Sequence, residues 1–376
     1  MLWGNRKCIP IGINMIVELS PTVRLFFSLL VSLVTTFVFA VTGLKLASRY
    51  KLIDFPGSKP HKKHDRPTPI SGGLTLFAAI LLAGLLTGTF ENWEVRATAL
   101  ASIPVFLFGL WDDISDLDVP TKLTGQLASA YILIRLGVSI KFFESPEFFL
   151  PLADNIRIIL DWFFSIVWIV GITNAFNFVD SKDGLAVGLG GISAAFFMLM
   201  TLESGQYLLT QHIAIILGIC IGLFFFNSPP ALLFIGDSGS QTLGFFLAAL
   251  AISYSPFGAS QLSSWFVPVL ILGVPLFDIV LVVVSRFRRN QPFYKAALDH
   301  TYHRLSLIGL GSRRAVLAMH LVALSLGCLA FIVLHTQPAI ANSVFFTLLI
   351  VGFFMLAYLD SKAVWRRLNT ADPDYQ

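Results

Sequence analysis

Charge is scarce in this sequence. Of 376 residues, 26 are Lys or Arg and 22 are Asp or Glu, together 13% of the chain, where a soluble globular protein carries about 25%. Hydrophobic residues make up 56% and the mean hydropathy is +0.77. There is too little polar side chain to cover a soluble surface, which excludes a soluble enzyme and a disordered chain. Cysteine is scarce as well. Cys8, Cys220 and Cys328 are the three present; they form no disulfide framework, and the last two sit in apolar runs as small hydrophobes. A cleavable leader is expected to be lacking, because the first apolar run starts near Leu25 and continues for about 20 residues, longer than a signal h-region.

What remains is a polytopic membrane protein. Apolar stretches near 25–47, 71–90, 95–110, 123–140, 158–178, 185–202, 208–226, 231–254, 265–285, 315–335 and 341–359 predict eleven transmembrane helices, each able to cross about 30 Å of hydrocarbon. The expected fold is all-α, one membrane-embedded domain over 1–376 without internal repeats. Sorting Lys and Arg by alternate loops puts 18 on one side and 6 on the other. By the positive-inside rule the N-terminus is outside and the C-terminus cytoplasmic. The net charge of +4 and pI near 9.0 then reflect basic inside loops rather than a nucleic-acid partner.

Four polar constellations fall in inside loops or at inner span ends. Asp112 and Asp113 are adjacent carboxylates, whose repulsion calls for a cation or a shared proton; the plainer reading is a solvated acidic loop. Asn174, Asn177, Asp180 and Asp183 recur every three residues, so a helix end would place them in one stripe lining a wet cleft; the plainer reading, an ordinary helix end with Gly184 as its C-cap, accounts for the glycine but not for the stripe. Asp237 sits in Gly236-Asp237-Ser238-Gly239-Ser240 within an otherwise apolar stretch, and an intramembrane ionisable residue is a functional hypothesis by default. His300, His303 and Arg304 lie within five residues; they suit phosphate oxygens, a metal or anionic headgroups. His61 and His64 in the first long loop raise the same question, whereas His212, His320 and His335 read as structural. Acids, amides and a His/Arg loop at one membrane face together suit Mg²⁺-assisted handling of a phosphorylated cytoplasmic compound and a bilayer partner.

In order, these motifs resemble those of the polyprenyl-phosphate N-acetylhexosamine-1-phosphate transferases, the MraY/WecA-like superfamily of glycosyltransferase family 4. The resemblance spans about 45–320: Asp54-Phe-Pro56 with His61 to His64 and Pro67 to Gly73, then Asp112-Asp113, Asn174 to Leu185, Gly236 to Ser240, and His300 to Leu305. Two departures stand out. Ser181-Lys182 follows Asp180 where the family usually has Gly, and Tyr302 stands where related members often carry a further His. The triple-His run of the muramoyl-pentapeptide branch is absent, which favours the WecA/TagO-type branch.

The resemblance implies transfer of a sugar-1-phosphate from a UDP-N-acetylhexosamine, UDP-GlcNAc foremost, to undecaprenyl or another polyprenyl phosphate, with release of UMP. It implies Mg²⁺, with Mn²⁺ as an alternative, an active site at the cytoplasmic face of the plasma membrane, and a homodimer. Asp237 is then the leading Mg²⁺ ligand, supported by Asp113. Asp112, Asp113, Asp183 and His303 are the catalytic candidates, and His64, Asn174, Asn177, Asp180, His300 and Arg304 the substrate-binding ones. Alternatives are the phospho-MurNAc-pentapeptide transferase reaction, a secondary transporter of a phosphorylated solute, and a non-catalytic scaffold. The transporter reading is opposed by acids at inner span ends rather than at the midplane, with Asp278 the clearest deep exception.

Overall fold

A chain crossing lipid must satisfy its own backbone N–H and C=O groups, and long apolar runs do so as helices. The computed structural model describes residues 20–47, 49–50, 52–56, 66–145, 148, 150–256, 264–292 and 299–365. Its helices are α1 Pro21–Leu46, α2 Gly72–Thr87, α3 Trp93–Ser115, α4 Val119–Arg135, α5 Asp154–Val179, α6 Leu185–Glu203, α7 Tyr207–Asn227, α8 Gly236–Ser253, α9 Val267–Ile271, α10 Gly273–Arg288, α11 Thr301–Leu305, α12 Gly311–Leu334 and α13 Pro338–Leu359. The protein is an all-α, multi-pass membrane protein: seven helical stretches among the described residues are long and apolar enough to span a bilayer, and α2 is a shorter apolar helix. Each of the eleven expected stretches meets a helix.

The helices sort by how much apolar surface they bury. In α8 every residue from Ser238 to Ala251 is buried, as expected of a central helix surrounded by others. It packs on α2, α3 and α5. At the periphery, α1 turns Ser28, Ser32, Thr35, Thr36 and Ala40 inward against α7 and leaves Phe26, Leu30, Val34 and Val38 exposed. Small residues inward allow close helix approach, and large apolar ones outward suit lipid. Along α13 only Ala341, Phe345 and Leu359 are buried.

Three boundaries differ from the sequence reading. The stretch 265–285 is two helices, broken at Leu272 just before Gly273 and Pro275, where glycine and an absent proline N–H weaken helix continuity. In 231–254 the helix starts only at Gly236. Ahead of it the chain bends and then pairs at a single residue: Ile70 bridges Phe234, and Phe234 donates to Pro69 O at 2.8 Å. A two-residue antiparallel pair, β1 Ile53–Asp54 and β2 Thr68–Pro69, precedes this junction. Finally, α5 ends at Val179 with Asp180 as its C-cap; Gly184, at φ 75°, is instead the N-cap of α6.

Candidate active site

The C-terminal ends of α3 and α5, the start of α4 and the N-terminus of α8 meet at one end of the bundle. Asp237 is the second residue of α8, so it sits at a helix mouth rather than lying mid-span. Its position there follows from Gly236, whose φ of 67° lies in the left-handed region and whose added Cβ would fall 2.6 Å from Asp113 Oδ1. A side chain at Gly236 would be both strained and in collision.

Asp113 is held by that helix start. Its carboxylate accepts from the N–H groups of Asp237 (2.7 Å) and Ser238 (3.1 Å) and from Ser238 Oγ (2.5 Å). A carboxylate at a helix N-terminus satisfies unpaired amides and meets the positive end of the dipole. Asp112 points the other way. It accepts from Leu117 N–H at 2.6 Å and pairs with Lys122 Nζ at 2.5 Å. Lys122 also reaches Asp237 Oδ2 at 2.9 Å, so one ammonium bridges two carboxylates from α3 and α8.

Behind this bridge lies a chain of amides. Gln241 donates to Asp237 Oδ2 (3.3 Å), and Gln126 donates to Gln241 Oε1 (2.9 Å). Asn174 donates to Gln126 Oε1 (2.6 Å). Gln126 and Gln241 are buried, and buried amides need such partners. Asn177 donates to Ser240 Oγ at 3.1 Å, one helical turn along. The expected stripe is therefore split: Asn174 and Asn177 are on α5, Asp180 caps it, and Asp183 lies in the following turn, accepting from Ala231 N–H at 3.2 Å. Asn227 accepts from Gly184 N–H and donates to Leu233 O, both at 2.9 Å, tying this turn to the segment before α8.

Asp180 is the acid without a partner: its carboxylate makes no hydrogen bond or ion pair among the described residues. Burial, then the charges of Asp237, Asp113 and Asp183, push its carboxyl well above the usual carboxylate range. Of these five carboxylates, Asp112 and Asp237 share one bridging lysine, and all the donors are hard oxygens. No three His, Cys, Asp or Glu side chains among the described residues already converge on a metal position. The donor set nevertheless suits Mg²⁺, which takes one or two carboxylates and completes its shell with water and phosphate oxygens.

The histidine loop lies against the same turn. The ring of His300 stands edge-on to Phe178 with centroids 5.5 Å apart, and Tyr302 is within electrostatic reach of Asp183. His303 lies against Tyr302, its Nδ1 buried without a partner among the described residues. His300 Nδ1 is 2.9 Å from Asp278 Oδ2. Arg304 is placed differently from the expected phosphate contact. It is fully buried and faces the interior, donating to Asp299 O (2.8 Å), Leu359 O (2.9 Å), Ser285 Oγ (2.8 Å) and Asp360 Oδ1 (3.2 Å). His64 lies outside the described residues.

Sequence reasoning passed over Lys122, Gln126, Gln241 and Asn227 as site residues. Lys122 and Gln126 are one turn apart at the start of an apolar run; that i, i+4 spacing was the available signal, hidden by reading the lysine as a topology charge.

The sequence that builds this site has known relatives. The family description "Glycosyl transferase family 4" matches residues 95–255, and the chain belongs to that family. Among its relatives, a probable undecaprenyl-phosphate N-acetylglucosaminyl 1-phosphate transferase of Bacillus subtilis (strain 168) is 30% identical across 80% of this chain and 82% of its own length. A decaprenyl-phosphate N-acetylglucosaminephosphotransferase of Mycobacterium leprae is 31% identical across 86% and 85%. A phospho-N-acetylmuramoyl-pentapeptide-transferase of Halalkalibacterium halodurans is 28% identical across 81% and 96%.

Proposed function

We propose that this protein transfers N-acetylglucosamine-1-phosphate from UDP-GlcNAc to a polyprenyl phosphate, undecaprenyl phosphate foremost, and releases UMP at the cytoplasmic face of the plasma membrane. The observation that carries the reading is the Lys122 bridge between Asp112 and Asp237 beside the uncompensated Asp180. Such a site is short of positive charge and suited to a phosphate–cation complex. The relatives' names supply the sugar and the lipid.

The residues divide the work by what is already engaged. Asp113 has both oxygens taken by donors of α8 and holds the helix mouth in place. Lys122 keeps Asp112 and Asp237 together, and its ammonium would pass from them to a phosphate oxygen when substrate enters. Gln241, fixed through Gln126 and Asn174, orients Asp237. Asp237, with Asp180 next to it, would hold Mg²⁺. When bound, that ion would neutralise charge on the pyrophosphate and polarise the bond to UMP. His300 and His303 face the Phe178–Asp183 turn and would contact the donor's phosphates. Attack by the lipid phosphate itself and an aspartyl route both fit these groups. In a single turnover without lipid acceptor, no UMP release is expected for direct attack, and a burst would reverse that choice.

Purified protein with undecaprenyl phosphate, Mg²⁺ and separate UDP-sugars tests the whole reading. UMP release is expected with UDP-GlcNAc. Release only with UDP-MurNAc-pentapeptide would move the protein to the muramoyl branch, and release with no donor would overturn the transferase reading.

A further inference from the structure

Asp278 is a buried acid that the transfer chemistry above does not use. It lies on α10 ten residues before the helix's end at Arg288, so about 15 Å of helix separates it from that end. A carboxylate at such depth needs dedicated partners. It is fully buried, and both partners come from the start of α11: Thr301 donates its backbone N–H to Oδ1 at 2.6 Å, and His300 Nδ1 sits 2.9 Å from Oδ2. The histidine loop therefore dips inward along α10.

The carboxylate offers only lone pairs, and the Thr301 contact is an N–H donor by necessity. The matching arrangement at Oδ2 is a proton on His300 Nδ1. Phe178 fixes the ring from the side of α5. Nε2 has no partner among the described residues, and the side chain keeps 12% exposure.

We propose that Asp278 is a positioning residue: it locks His300 in the Nδ1–H tautomer so that Nε2 is the nitrogen presented to a phosphate oxygen of the sugar-nucleotide donor. The same carboxylate balances the imidazolium when Nε2 is protonated, as a buried acid does for a histidine that must turn outward. A helix-capping role alone would require only the Thr301 contact and would leave the ring free to flip. That His300 meets the donor's phosphates rests on the transferase reading above; the tautomer does not.

Two measurements test this. In protein labelled with [¹⁵N]histidine, the His300 ring nitrogens should show Nδ1 protonated and Nε2 as the unprotonated or exchanging one. Protonation at Nε2 with Nδ1 bare would overturn the assignment, whatever the activity. In UMP-release assays with UDP-GlcNAc, undecaprenyl phosphate and Mg²⁺, Asp278→Asn should lower kcat/KM by about 10- to 100-fold, the range for loss of a histidine's carboxylate partner at metal sites. In the His300→Ala background the same change should cost less than about twofold, because the two residues act as a unit. An equal loss in both backgrounds would reduce Asp278 to a structural residue. Wild-type protein inactive with UDP-GlcNAc would defeat the transferase reading, while the tautomer measurement would still decide this one.

Discussion

Two sets of aspartates at one end of the bundle are balanced in opposite ways. Among the acids around Lys122, its ammonium bridges Asp112 and Asp237, Asp113 and Asp183 rest on backbone N–H donors, and Asp180 has no hydrogen bond or ion pair among the described residues. Beneath the histidine loop, Asp299 and Asp360 are surrounded by arginines. Asp299 pairs with Arg286 at 2.8 Å and Arg289 at 3.0 Å; Asp360 pairs with Arg288 at 2.5 Å and Arg304 at 3.2 Å. Trp365 closes the second set, donating to Asp360 at 2.9 Å and lying 3.6 Å beneath the Arg289 guanidinium. Unmet negative charge marks the place where something else must bind, whereas saturated charge marks a joint. The joint ties α10, α11 and the end of α13 together, so Arg304 supports the loop that carries His300 and His303.

Breaking the charge-poor side should have the largest effect. Asp237→Asn keeps size and hydrogen bonding but removes the charge that Lys122 and Gln241 address. UMP release should fall by about 10³-fold, as when a preorganised electrostatic group is lost, with the folded helix content by circular dichroism unchanged. Lys122→Gln should follow, at roughly 100-fold. It should also sharpen the comparison: with its bridging ammonium gone, the carboxylate set should be stabilised more by Mg²⁺ in thermal unfolding than wild type is. An unchanged Mg²⁺ response would show that Lys122 does not occupy the place a cation would take.

The charge-rich side should respond in stability first. Arg304→Met removes the buried donor to Leu359 O and one of several donors to Asp360, which keeps Arg288, Ser285 and Trp365; the cost should stay at or below about 3 kcal/mol, the low end for breaking a buried pair. Asp360→Asn keeps an acceptor for Ser285 and should cost less. Both are read by denaturation of the detergent-solubilised protein. Turnover per folded molecule should drop far less than in Asp237→Asn; an equal drop would return Arg304 to the substrate.

The same contrast explains what could be read from sequence. Helices were legible because long apolar runs leave few other options in lipid, and the failures were local. Pro275 with Gly273 broke one expected span, and the Phe234 bridge to Ile70 delayed the start of α8. Acids were legible as exceptions in an apolar chain. Their partners were not, because a lysine or arginine at a span end is equally well explained by topology. Lys122 meets Asp237 across 115 positions and Arg304 meets Asp360 across 56. Only packing separates the cation facing a cleft from the one sealed in a joint.

Acidity should separate the two regions with the smallest but most diagnostic effect. Asp299 is buried, which raises its pKa, but the hydrogen bond and charge of Arg286, with His300 and Arg289, bring it down to about 2. A depressed native pKa adds stability that is complete above the unfolded value near 3.8 and lost as pH falls toward the native one, here roughly 2 kcal/mol. Asp180 has the opposite sign. Its native pKa is raised, so the folded state binds a proton the unfolded chain has released, and stability falls as pH rises between the two values. Acidifying from about pH 7 to about pH 4 should therefore stabilise the protein through Asp180, and further acidification should destabilise it through Asp299. Asp180→Asn should raise stability at neutral pH and flatten only the upper limb. Asp299→Asn should lower neutral stability and shrink only the acid limb, of which Asp360, also depressed by its hydrogen bonds, keeps a part; a variant that moved both limbs would show the two regions to be one electrostatic unit.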